Sequence, residues 1–275
     1  MKRMAAVVGL LALTTATLGL VTAAPAGAIT ITCPPNPAPG STVSGDLVVG
    51  QEQGCFLDHV TVTGNVVVRD FSSLSLRNSR IRGSVTLGHL AALSMANSII
   101  DGSLIATKGP EYITILGENG GVSRIGSDVT INGALGGEGQ GSSPTVVICG
   151  AYILDDLNVT GTAANQGPGE FQPAFFSPAV VIGGAACSRQ SDFDEGGTIG
   201  TTNSIADDVN LRNNHGYVAF ENNTVGDNVN AFGNTGGGDL VDNTGGGSLA
   251  CGSNQPPFQS SGNKFKGSDT CTPPG

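Results

Sequence analysis

Short stretches of alternating apolar and polar residues recur along this chain at a constant interval. Gly45, Gly64, Gly83 and Gly102 are each 19 residues apart, and each opens a similar phrase: Gly45-Asp46-Leu47-Val48-Val49, Gly64-Asn65-Val66-Val67-Val68, Gly83-Ser84-Val85-Thr86-Leu87 and Gly102-Ser103-Leu104-Ile105-Ala106. Superposing the blocks aligns Leu47, Val66, Val85 and Leu104, then Cys55, Leu74 and Leu93, then Leu57, Leu76 and Met95, then Val62, Ile81 and Ile100. Within a block the alternation has a period of two, as in Leu74-Ser75-Leu76, which marks strands with one buried face. Three such runs per block, separated by Gly, Asn and Ser, describe one turn of a roughly triangular coil. Successive turns then lie over one another, about 4.8 Å apart and paired in parallel. Hairpins would not return like residues at a constant interval.

The C-terminal part repeats with a period of 20. Val209, Val229 and Leu249 align, as do Leu211, Ala231 and Cys251. Two polar columns accompany them, Asn214, Asn234 and Asn254, and Asn223, Asn243 and Asn263. Asn tolerates left-handed backbone and its amide can bond an identical amide one turn away, so both columns are expected to be turn ladders. Between the regular ends, Val129-Thr130-Ile131, Val146-Val147-Ile148, Leu157-Asn158-Val159 and Val180-Val181-Ile182 keep strand character. Residues 133–143, 161–178 and 188–204 are rich in Gly, Pro, Gln and Ser and are expected to be loop insertions on middle rungs. The predicted fold is all-β, a single right-handed parallel β-helix of roughly ten rungs and about 45 to 50 Å in length. It occupies residues 29–275, and no linker divides it.

The chain's start reads differently. Lys2 and Arg3 precede a mostly apolar run from Val7 to Val21, and Ala26-Gly27-Ala28 supplies a small-residue cleavage site, so residues 1–28 are expected to be an export signal. The apolar run is short and interrupted by Thr14, Thr15 and Thr17, which disfavours a membrane anchor. Removing it takes away two of the 12 basic residues and leaves ten against 22 acidic ones, a formal charge of −12. Such a surface disfavours nucleic acid and anionic lipid as partners. Cys33, Cys55, Cys149, Cys187, Cys251 and Cys271 all lie in the exported part, where disulfides can form. Their order suggests three local loops, Cys33 to Cys55, Cys149 to Cys187 and Cys251 to Cys271, with other connectivities open. Zinc is set aside because no Cys-x-x-Cys or paired His spacing occurs.

The repeated Gly-(Asn/Asp)-(Leu/Val)-x-Val phrase resembles that of a group of secreted actinobacterial proteins of predicted parallel β-helix fold. So does the tail Asp208-Val209-Asn210-Leu211-Arg212-Asn213-Asn214, Asn223-Thr224-Val225-Gly226-Asp227-Asn228-Val229 and Ser248-Leu249-Ala250-Cys251. The likeness covers most of residues 40 to 271 and is strongest at the tail. It implies export and fold and carries no catalytic residues over. The long irregular middle departs from the group's more repetitive spacing.

Parallel β-helices also carry carbohydrate lyases and hydrolases, whose chemistry needs convergent carboxylates, or calcium with a basic residue. The regular charges here are expected to pair across rungs instead: Asp58 with Arg77, Arg82 with Asp101, and Asp70 with His89, each 19 apart. Arg69, Arg77, Arg80 and Arg82 concentrate on one coil and are the candidate contacts for an anionic glycan, since the guanidinium fork matches carboxylate and phosphate. Asp192, Asp194 and Glu195, followed by Gly196 and Gly197, and Asp155, Asp156, Asp207 and Asp208 at rung starts, are oxygen-rich enough to consider for calcium, though no EF-hand pattern is present. Tyr112, Tyr152 and Tyr217 are the only tyrosines, and Phe171, Phe175 and Phe176 are expected to cap the coil. No phosphate-cradling Gly-Lys-Ser/Thr ending and no Gly-x-Ser-x-Gly elbow occurs.

The residues thus predict a secreted, non-enzymatic structural or binding protein of the extracellular space or cell envelope. Extracellular polysaccharide or cell wall is its expected partner, without catalytic residues, resident metal or cofactor. A carbohydrate-active enzyme built from the 133–143, 161–178 and 188–204 insertions is the alternative, and a rod stacking end to end is a third class.

Overall fold

The structure is a computed structural model that describes residues 30–135, 144–163, 179–188 and 198–271. The expected export signal therefore lies outside the described residues, as do Phe171, Phe175, Phe176, Asp192, Asp194 and Glu195. Three parallel sheets of 10, 9 and 10 strands run the length of the molecule, and the chain visits them in rotation. Sheet 1 runs from Thr30–Cys33 to Leu249–Gly252, sheet 2 from Gly54–Asp58 to Gln259–Ser261, and sheet 3 from Thr42–Val43 to Lys264–Phe265. This is a parallel β-helix, and the predicted columns are its registers. Leu47 pairs with Val66 and Val66 with Val85 on sheet 1, Cys55 with Leu74 and Leu74 with Leu93 on sheet 2, and Val62 with Ile81 on sheet 3.

Period-two alternation turns each of these side chains inward, and none is more than 2% exposed. Together with their counterparts they form one continuous core from Cys33 to Cys271. Each fully buried Val, Leu or Ile contributes about 1.5 to 3 kcal/mol. Side chains alone do not close the coil, however, because the backbone must turn three corners per rung and every buried N–H there needs an acceptor.

Each corner has its own solution. Between sheets 2 and 3 a single left-handed residue bends the chain, and that place is taken by His59, Asn78, Asn97, Asn222 and Asp242 with φ between 46° and 54°. Two residues further on from Asn78 and Asn97 the chain has already entered sheet 3, so the turn is as short as it can be. Immediately after the bend sits a polar column that faces inward. The hydroxyl oxygens of Ser79, Ser98 and Ser123 accept the backbone N–H of Val60, Ser79 and Ser98 at 3.0, 3.0 and 3.4 Å. The same column continues as Asn203, Asn223, Asn243 and Asn263, where each side-chain oxygen accepts from the residue one rung earlier. Each of these amides also donates to a strand carbonyl of the preceding rung, as Asn243 Nδ2 does to Phe220 O at 2.9 Å.

The second Asn column works identically between sheets 1 and 2. Thr162 donates to Asn214, Asn214 to Asn234 and Asn234 to Asn254, at 2.9 to 3.1 Å. Between sheets 3 and 1 the repeated glycine explains itself. Gly64 N bonds Gly45 O at 2.9 Å and Gly83 N bonds Gly64 O at 3.1 Å, so a Cβ on Gly64 or Gly83 would lie 2.6 to 2.7 Å from the glycine oxygen beneath it. No side chain fits between rungs that approach so closely.

Three disulfides form in the local pattern read from the sequence, with Cα separations of 5.7, 5.8 and 4.8 Å for Cys33–Cys55, Cys149–Cys187 and Cys251–Cys271. The first and last staple the terminal rungs. The middle one ties a helical turn, Ala185–Ser188, to the outer face of sheet 2, where Leu116, Val147, Cys149, Val181 and Cys187 form a second small core with Ile199 packed on it. That turn was not expected from the loop-like composition around it. Val146–Cys149 and Val180–Gly183 are buried on both faces beneath this cover, which is what their unbroken apolar runs encode.

Replacing Asn243 by Ala leaves the Asn223 N–H and the Phe220 carbonyl without their partner inside the coil. A loss of about 3 kcal/mol is expected in urea unfolding with the disulfides intact. The same change at half-buried Asn263, at the ladder's end, is expected to lose about 1 kcal/mol. Equal effects at the two positions would show that the ladder is not cooperative.

Candidate functional site

With the interior filled, any site must sit on the outer faces or corners. Two corners concentrate charge. At the corner leading from sheet 3 into sheet 1, the residue that opens or immediately precedes each sheet-1 strand is Asp46, Asn65, Ser84 or Ser103 in the first rungs, then Asp128, Asp156 and Asp208, then Asn228 and Ser248. Its side-chain oxygen accepts the backbone N–H of the next rung's counterpart: Asp46 from Asn65 at 2.7 Å, Asn65 from Ser84 at 2.9 Å, Asp156 from Asp208 at 3.0 Å and Asp208 from Asn228 at 2.9 Å. The column beside it is glycine in the first four of these rungs and Ser127 next to Asp128, then becomes Asp155, Asp207 and Asp227 before returning to Gly247.

The result is an acidic ridge on four consecutive rungs. Carboxylate oxygens of Asp128, Asp155 and Asp156 lie within 4.8 Å of one another, and so do those of Asp207, Asp208 and Asp227. Asp207 is held above the usual carboxylate range, first by loss of hydration and then by the charges of Asp156, Asp208 and Asp227. These trios are the described residues that could hold calcium, each offering three of the six to eight oxygens the ion takes, with water to complete the set.

The four arginines fall around the coil rather than on one face. Arg69 is at the corner between sheets 1 and 2, Arg77 at the end of a sheet-2 strand, Arg80 on sheet 3, and Arg82 at the corner leading back to sheet 1. Rung pairing sets the expected neighbours at the right height, with Asp58 opposite Arg77, but the side-chain partners differ from expectation. Asp58 takes the ring of His59 at 2.8 Å, because the left-handed backbone at His59 folds the imidazole back on its neighbour. Asp101 takes Arg80 through two hydrogen bonds at 2.9 and 3.1 Å, with Arg124 at 3.9 Å on its other side. Arg80 leaves a strand and reaches diagonally across the rung, whereas Arg82 has already turned the corner. The Asp101 hydrogen bond, then its charge, holds the Arg80 guanidinium still more firmly protonated.

Asp70 does meet His89, but through the backbone: its Oδ1 accepts the His89 N–H at 2.8 Å, and the imidazole packs edge-on against Phe71 at 5.7 Å. The catalytic carboxylate–imidazole arrangement is therefore not formed. Gly88 makes this possible, since a Cβ there would lie 2.5 Å from that carboxylate oxygen. The bare glycine also opens a recess of about 190 Å³ between Arg69 and Lys108, with Gln51, Asp70 and Thr86 on its walls. Lys108 was not picked out from the sequence, although Gln51, Asp70, His89 and Lys108 are spaced by 19 and thus share a column.

Of the tyrosines, Tyr152 is 46% exposed on the outside of sheet 3, in register with Arg124. Burial, reinforced by Glu111, raises Tyr112. Tyr217 donates to Asp239 across sheet 2 and is pushed far up by burial and by that hydrogen bond. No helix among the described residues is long and apolar enough to cross a membrane. No protein-family model, curated protein or solved structure matches the chain.

The ridge has a measurable consequence. Because Asp207 binds its proton more tightly folded than unfolded, its ionisation opposes folding, and its unfavourable contribution grows as pH rises from the unfolded carboxylate pKa through the raised folded one. Asp207→Asn is expected to raise Tm at pH 7, to leave it unchanged at pH 3, and to lose in high salt only the part of its advantage that comes from the neighbouring carboxylates. An advantage that persists at pH 3 would show that ionisation of Asp207 is not its origin.

Proposed function

We propose that the protein is a non-enzymatic extracellular rod that binds polysaccharide of the cell envelope or surroundings along its outer surface. The observation that carries this reading is where the surface polar groups go. Asp46, Asn65 and Ser84 bond the backbone of the next rung, Asp70 does the same for His89, and Asp101 joins Arg80 and Arg124. These are the regularly spaced charged and polar residues from which a catalytic set would be drawn, and their contacts fix register instead. What remains is a stiff, three-faced scaffold with repeated features along its axis, suited to a repetitive polymer. Disulfides at both ends and in the middle suit an oxidising, non-cytoplasmic compartment.

Co-sedimentation with insoluble cell-wall polysaccharide, run beside an assay for new reducing ends and unsaturated sugars, tests the proposal. Retention on the polymer with no release of fragments is expected, with and without calcium. Fragment release that scales with protein concentration would replace the scaffold reading with a carbohydrate-active enzyme.

A further inference from the structure

The recess at the corner between sheets 1 and 2 has chemistry that narrows the partner. Arg69 and Lys108 both line it, and among the described residues neither has an acidic side chain in ion-pair contact. They sit on the less acidic end of the rod: Arg69, Arg77, Arg80, Arg82, Lys108 and Arg124 all precede the acidic ridge in the chain. Hydrogen-bond acceptors share the recess. Asp70 commits one oxygen to the His89 N–H and keeps the other, and Gln51 and Thr86 also line the recess.

We propose that this recess is a subsite for a carboxylate-bearing sugar unit of an acidic polysaccharide, an assignment that rests on the polymer-binding reading above. A compact inorganic anion would meet the Asp70 charge as well as the two cations. A neutral sugar would leave both cations without a counter-charge. A sugar acid satisfies both sets, its carboxylate toward Arg69 and Lys108 and its hydroxyls donating to Asp70, Gln51 and Thr86.

Size agrees with a single unit. At about 190 Å³ the recess is smaller than the roughly 300 to 1,000 Å³ of pockets that enclose a whole small ligand. Phe71, next in sequence to Asp70 and 52% exposed, adds apolar surface adjacent in the chain to the recess, which the adjoining sugar could cover. Nucleic acid fits less well, because two cations on an acidic chain give too short a track for phosphate neutralisation.

The test uses calorimetry with a galacturonate trimer, its methyl ester, a triglutamate peptide and inorganic phosphate. The full exported chain is compared with Arg69→Gln/Lys108→Gln and with Lys264→Gln/Lys266→Gln, an equal charge change at the far end of the rod. The acid trimer is expected to bind about tenfold or more tightly than its ester, the peptide or phosphate, and the first variant to lose that preference while the second keeps it. Circular dichroism confirms that both variants keep the fold.

Equal loss in both variants, equal binding of ester or peptide, or no binding of the acid trimer would overturn the subsite. Retention of wall polysaccharide by Arg69→Gln/Lys108→Gln at wild-type strength would overturn the subsite while leaving the polymer-binding rod standing. Fragment release by the unaltered chain would remove the rod reading itself.

Discussion

The constraint on which the molecule depends is that the backbone N–H groups at each buried corner must find acceptors one rung away. Within the three sheets, parallel pairing satisfies the backbone without help. At the corners the chain leaves the strand geometry and the ladder is interrupted. Ser79, Ser98, Asn203, Asn214, Asn223, Asn234 and Asn243, none more than 3% exposed, bridge that gap. An unpaired buried donor costs about 1 to 3 kcal/mol, so a corner repeated on every rung would otherwise cancel much of what the apolar columns contribute.

That constraint explains why the two halves of the coil use different residues for one task. Rungs of 19 residues in the N-terminal half carry serine between sheets 2 and 3, whose short hydroxyl reaches the next rung's N–H. Rungs of 20 carry asparagine, whose longer amide reaches both the neighbouring amide and a strand carbonyl 23 residues earlier. Each rung touches only its neighbours, so the satisfaction of one corner depends on the next being formed. Terminal rungs lack one neighbour, and Cys33–Cys55 and Cys251–Cys271 fall there.

The same stacking that builds the rod shapes its surface chemistry. Identical or similar residues in a column bring like charges together, which produces the acidic ridge of Asp128 to Asp227 and the raised proton affinity of Asp207. One bare position in a column, Gly88, produces a recess instead. Surface features of this protein are thus column features, and a partner made of repeating units can meet them.

Period, columns, strand faces, disulfide pairing and the two asparagine ladders were legible in the amino-acid order, because a coil turns a fixed sequence spacing into vertical contact. The serine ladder carried the same 19-residue signal at Ser79 and Ser98 and was hidden only by how common serine is in turns. The second core on sheet 2 was signalled by Val146-Val147-Ile148-Cys149, an unbroken apolar run that two-sided burial explains. Which side chain meets which was a different matter. Spacing fixes height along the axis but not direction around it, so Arg80 rather than Arg82 reaching Asp101, His59 turning back on Asp58, and Asp70 bonding a backbone rather than an imidazole depended on the corner conformations. The recess between Arg69 and Lys108 likewise exists only in three dimensions, since it is made by residues on four successive rungs around a glycine that by itself carries no chemistry.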